Sequence, residues 1–134
     1  MGAWGLGVFE NDTSCDFASA VADGGGIDAL REAIERVLSS RRNYLEASDA
    51  EEGLAAADIV ARLRGNPGQQ STYTAAVDAW VAKSKAVAAD ELVQKAKQVV
   101  ARILAEPSEL LELWAESQDF DGWKRAVEDV ARRL

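Results

Sequence analysis

From Thr13 onward the apolar positions recur three and four residues apart along most of the chain, the period of helices that bury one face. Asn11, Asp12 and Thr13 offer side-chain oxygens to free backbone N–H groups, so a first helix is expected to open there. It carries Phe17, Ala20 and Val21 and stops at Gly24-Gly25-Gly26. A second helix puts Ile27, Leu30, Ile34, Val37 and Leu38 on one stripe, with Glu32 and Arg36 paired on its outer side. Ser48 and Glu51 have capping-box spacing and open an alanine-rich helix in which Ala56, Ile59, Val60 and Leu63 form the apolar row. Its small neighbours suit close helix approach, which places it centrally; Gly65-Asn66-Pro67-Gly68 ends it.

A fourth helix carries Tyr73, Val77, Trp80 and Val81. After a break near residues 86–90, a fifth carries Leu92, Ala96, Val99, Ile103 and Leu104. Beyond Pro107-Ser108 come a short helix with Leu110, Leu113 and Trp114 and a last one with Trp123, Val127, Val130 and Leu134. Alternating strand patterns are almost missing. The expected fold is all-α, a compact bundle of six or seven short helices in antiparallel pairs, forming one domain over residues 1–134. The glycine-rich opening is expected to lie as an extended strap over the helices. Gly5 and Gly7 would permit the close approach, and Trp4 and Phe9 would anchor it.

Composition adds an imbalance of charge. The 134 residues carry a formal net charge of −8. Residues 1–30 hold the acids Glu10, Asp12, Asp16, Asp23 and Asp28 and no base. Residues 106–121 hold Glu106, Glu109, Glu112, Glu116, Asp119 and Asp121, again with no base. Such a surface repels nucleic acid and attracts a basic protein partner. No apolar run approaches the ~18 residues of a membrane span, and no signal-peptide or myristoylation pattern opens the chain. With a lone Cys15, a cytoplasmic location is expected.

The absence of histidine removes the usual general base and the commonest metal ligand, and a single cysteine leaves no zinc set. No metal, cofactor or catalytic residue is therefore assigned. Cys15 reads as a packing residue, because Asp12 and Asp16 beside it oppose thiolate formation. The glycines lack the spacing and the lysine of a phosphate loop. Glu10, Asp12 and Asp16, or Asp119 and Asp121, would be the carboxylates of a hydrolase, although Asp119 and Asp121 also suit a cap for the last helix. Asp58 lies inside an apolar helix with Arg62 one turn on as its partner. Trp80 and Trp123 fall on core faces; Trp114, at the edge of an acidic helix, suits either the core or a hot spot for a basic partner.

The opening Trp4-Gly5-Leu6-Gly7-Val8-Phe9-Glu10-Asn11-Asp12 resembles a family of small bacterial proteins known as a domain of unknown function, whose members begin Trp-Gly-x-Gly-x-Phe-x-Asn-Asp. The resemblance continues through Leu54–Val60, where members often have Glu at the position of Asp58, and through Glu112-Leu-Trp114-Ala-Glu116 to Trp123. It implies no activity. Three functions follow from the residues. One is an interaction module, immunity- or antitoxin-like, that binds a basic partner through Glu109, Glu112, Trp114 and Glu116. Another is a small-molecule or peptide binder with its pocket at Trp4, Phe9, Asn11 and Asp12. The third is a carboxylate-dependent enzyme.

Overall fold

The computed structural model describes residues 3–134, and the observed fold is an all-α bundle. Helix α1 (Asp12–Ala20) opens where Asn11, itself buried, accepts a hydrogen bond from the Ser14 N–H at 2.8 Å. The triple glycine stops the first helix, as expected. Past Val21 the chain leaves helical geometry at a kink, where Gly24 and Gly26 take φ angles of 129° and 57° as α2 (Gly26–Ser39) begins. Positive φ is cheap for glycine and strained for most other residues, so the reversal falls there.

Helix α3 (Ala47–Leu63) is the axis of the molecule, packing on α1, on α2 and on all four helices that follow it. Every residue from Gly53 to Arg62 is buried, as expected of a helix covered on all sides. A β-carbon at Gly53 would overlap the Val37 side chain, so the missing side chain sets how closely α2 approaches. At the far end Gly65 takes a φ of 86°, while its N–H donates to Arg62 O at 3.0 Å and that of Asn66 to Ala61 O at 2.9 Å. This is the Schellman pattern that the glycine there favours.

The remaining helices are α4 (Ala75–Lys83), α5 (Asp90–Ile103), α6 (Glu109–Ala115) and α7 (Phe120–Arg133). They bury the apolar stripes expected of them: Val77; Leu92, Ala96, Val99 and Ile103; Leu110; Trp123, Val127 and Val130. One connected core takes side chains from every helix. Arg102 staples two loops by donating to the carbonyls of Arg41, Asn43, Ala105 and Pro107 at 2.7–2.9 Å. Among the described residues there is no strand, only isolated bridges, and no helix is long and apolar enough to cross a membrane.

Several local expectations fail. Ser48 and Glu51 form no capping box: α3 begins earlier, at Ala47, and the Glu109 carboxylate of α6 accepts from the Ala47 N–H at 2.7 Å. Arg36 pairs with Glu52 of α3 at 3.1 Å rather than with Glu32, because a neighbouring helix offers a partner. Asp119 holds the N-cap position of α7 without a side-chain cap bond. Trp80 is only partly buried, at the rim of the core.

Candidate functional site

The N-terminal segment is a closed loop rather than an extended strap. Ala3 bridges to Asn11, the Trp4 N–H donates to Glu10 O at 3.0 Å, and the Glu10 N–H donates to Gly7 O at 3.0 Å. The Glu10 carboxylate folds back into the ring, where Oε1 accepts from the Gly7 N–H at 3.0 Å. A β-carbon on Gly5 or Gly7 would collide with that carboxylate, so both glycines make room for Glu10 and not for a helix. Phe9 is the anchor, 4% exposed; Trp4 is not, since it stays 47% exposed and tilts against Tyr73 with ring centroids 5.4 Å apart. The Cys15 thiol donates to Phe9 O at 3.0 Å. Burial, then Asp12 and Asp16, push its pKa up, which makes it a poor nucleophile.

Beneath this loop lies a buried ion network. Asp58 Oδ1 accepts from Arg62 Nε at 2.6 Å, as the one-turn spacing predicts, but the pair is not isolated. Arg62 also donates to Asp78 Oδ1 at 2.7 Å and to Gln69 O at 2.8 Å, and its guanidinium sits 5.5 Å from the centre of the Phe9 ring. Asp58 Oδ2 accepts from Arg133 at 2.6 Å, and Arg133 goes on to Asp129 at 2.9 Å and to Asn66 O at 3.3 Å. Gly68 gives Arg133 its space, because a β-carbon there would fall 2.7 Å from the guanidinium carbon. Burial opposes the charge on Arg133, but Asp58 and Asp129 outweigh it and raise its pKa; the hydrogen bond from Arg133 in turn holds Asp129 below the usual carboxylate range. Asp58 and Arg62 are 2% and 4% exposed, so a charge left unpaired there would be costly.

A cavity of about 150 Å³ opens between loop and network. Residues 7–10 form one wall, Asp58 and Arg62 the floor, Gln69, Ser71, Tyr73 and Thr74 the second wall, and Ala126, Asp129 and Arg133 of α7 the third. Thr74 is held by hydrogen bonds to Ser71 and to Asp78. A space of this size holds a molecule of roughly benzene dimensions, or one side chain.

The other expected site residues lie elsewhere. Asn11 is spent on capping α1, and Asp12 and Asp16 are exposed on α1 away from the cavity. Trp114 is 7% exposed and stacks on Trp123 at 5.8 Å with rings 7° from parallel. It is a core residue, because the edge of α6 that carries it faces α7 and not solvent. Glu109 caps α3, and Glu112 accepts from the Tyr44 hydroxyl at 2.8 Å, which drives the Tyr44 pKa to about 12. Of these three glutamates, Glu116 alone makes no side-chain hydrogen bond among the described residues. Nor among the described residues do three His, Cys, Asp or Glu side chains cluster so as to hold a metal ion.

Sequence reasoning found Phe9 and the Asp58–Arg62 pair but not Tyr73, Thr74, Asp78, Asp129 or Arg133 as members of one site. A buried-helix Asp with its own Arg was the available signal. Arg133 stands four residues after Asp129, the spacing of an ordinary surface pair, and nothing in the local sequence indicates that it reaches α3.

No curated protein and no solved structure matches the chain. The family model described as a domain of unknown function (DUF4259) matches residues 2–126, which take in the N-terminal loop, Asp58, Arg62, Tyr73 and Ala126 but stop short of Asp129 and Arg133. The chain therefore belongs to that family of domains of unknown function.

Proposed function

We propose that the protein is a binding module whose ligand site is the cavity under the N-terminal loop. The observation that carries this is the coincidence of a side-chain-sized cavity with the most constrained polar cluster of the molecule. Binding is favoured over turnover because each nitrogen of Arg62 and of Arg133, and both oxygens of Asp58, are already committed to partners. Groups so engaged hold a shape and are poor proton carriers. The carboxylate-hydrolase reading is correspondingly weaker: Asp12, Asp16, Asp119 and Asp121 are exposed, and Asp12 and Asp16 line no wall of the cavity that Glu10 borders.

The test fills the space. Ala126→Leu adds bulk to the α7 wall. Small probe molecules that raise the melting temperature of the parent protein should lose that effect in the variant; equal shifts in both proteins contradict the proposal.

A second reading, a basic partner protein of the immunity or antitoxin kind, keeps support from one surface. Glu106, Glu116, Asp119 and Asp121 remain exposed around α6 and its flanks. That reading predicts association that slows steeply with added salt and with charge removal at those four positions.

A further inference from the structure

We infer that the cavity is a cation site: it takes an alkylammonium or alkylguanidinium group, with Glu10 as counter-ion and the Phe9–Tyr73 side of the wall beside the apolar stem. This rests on the cavity being the ligand site and names the ligand's chemistry.

Charge is the first ground. The carboxylates of the wall and network are Glu10, Asp58, Asp78 and Asp129; the guanidiniums are Arg62, Arg133 and, 3.4 Å from Asp129 on the solvent side, Arg132. Acids therefore outnumber bases, and an anion entering the cavity would meet an excess of like charge. Unused hydrogen-bonding capacity is the second. Asp58, Asp78 and Asp129 each have both oxygens bonded. Glu10 Oε1 accepts from Gly7, whereas Oε2 has no partner among the described residues, and Glu10 belongs to no ion pair among them. The guanidinium nitrogens of Arg62 and Arg133 each already donate to a protein acceptor, so Glu10 is the one charged group lining the cavity without an ion pair among the described residues, and its complement is a donor that carries positive charge.

The aromatic side is the third ground. Tyr73 lines the cavity, remains 45% exposed and is backed by the exposed Trp4 ring. Faces of this kind attract cations and cover methylene stems. Arg62 over Phe9 is the same pairing already made inside the protein. An ammonium or guanidinium on a short stem comes from two sources, a free amine or a Lys or Arg side chain on another protein. The chemistry at the cavity is the same for both.

Calorimetric titration of the intact protein with n-butylammonium, n-butylguanidinium, n-butanol and n-butyrate tests the assignment. The cations should bind and butyrate should not. Glu10→Gln, whose amide oxygen still accepts from Gly7, should weaken cation binding by about tenfold, the loss of a charge-assisted hydrogen bond, with butanol unaffected. Cation affinity unchanged in Glu10→Gln overturns the proposal. So does butanol or butyrate binding, abolished by Ala126→Leu, without cation binding, although that result leaves the cavity as the ligand site. If no probe binds, both the cation assignment and the cavity reading fall. A Gly-Gly-Lys-Gly-Gly peptide separates the sources: affinity at or above that of n-butylammonium supports a cationic side chain on a partner, and loss of affinity supports a free amine.

Discussion

Glu10 and Glu51 illustrate how differently two carboxylates of one chain are used. Glu10 is tied into the glycine ring, lines a cavity and belongs to no ion pair among the described residues. Glu51 lies beneath the same loop beside Asn11, Trp114 and Trp123, where burial and then Glu109 push its pKa up. Its folded-state pKa exceeds that of the unfolded chain, so the protonated form favours folding. That contribution is fully present below the unfolded value of about 4.3 and is lost as pH rises through the folded value. Glu51→Gln should therefore raise the melting temperature at neutral pH and leave it nearly unchanged below about pH 4. Thermal denaturation across that range checks it, and a gain that persists in acid would contradict it. The motif around Glu10 is legible as a distinctive string, yet from sequence alone its glycines suit a thin spot for helix contact as well as they suit a fold-back of Glu10. Local sequence does not tell which atom a missing β-carbon makes room for.

At the level of elements, apolar period and glycine punctuation located the helices well, because each buries a stripe whose spacing is visible in the chain. What they did not locate was capping from a distance. Ser48 and Glu51 fit a capping box, but the Glu109 carboxylate caps α3 from another helix, joining elements far apart in sequence. The same link explains why Glu109 belongs to the scaffold more than to an open acidic patch. Glu109→Ala should cost about 1 kcal/mol, the usual worth of a helix cap, measured as a lower urea midpoint at unchanged slope. A binding-only role for Glu109 predicts no shift of the midpoint. Trp114 shows the same limit: its stripe position suited either core or surface, and only the placement of α7 against it decides.

The whole molecule is organised around α3, whose buried Asp58 and Arg62 receive Arg133 from the last helix and Asp78 from α4. Long-range ion pairs of this kind leave no periodic trace, and for that reason the fold was readable where the site was not. Asp58→Asn should strip two guanidiniums of their shared partner and destabilise the protein by about 3–5 kcal/mol, read from guanidinium chloride unfolding; a loss under about 1 kcal/mol would mean that the network is solvated. We propose that the cavity framed by this network and the N-terminal loop is where the protein binds its ligand. Mapping backbone amide chemical shifts during addition of n-butylammonium addresses it most directly. Changes should concentrate at Gly7–Glu10, Ser71–Thr74 and Ala126–Arg133, and changes confined to the acidic stretch Glu106–Asp121 would contradict binding in the cavity.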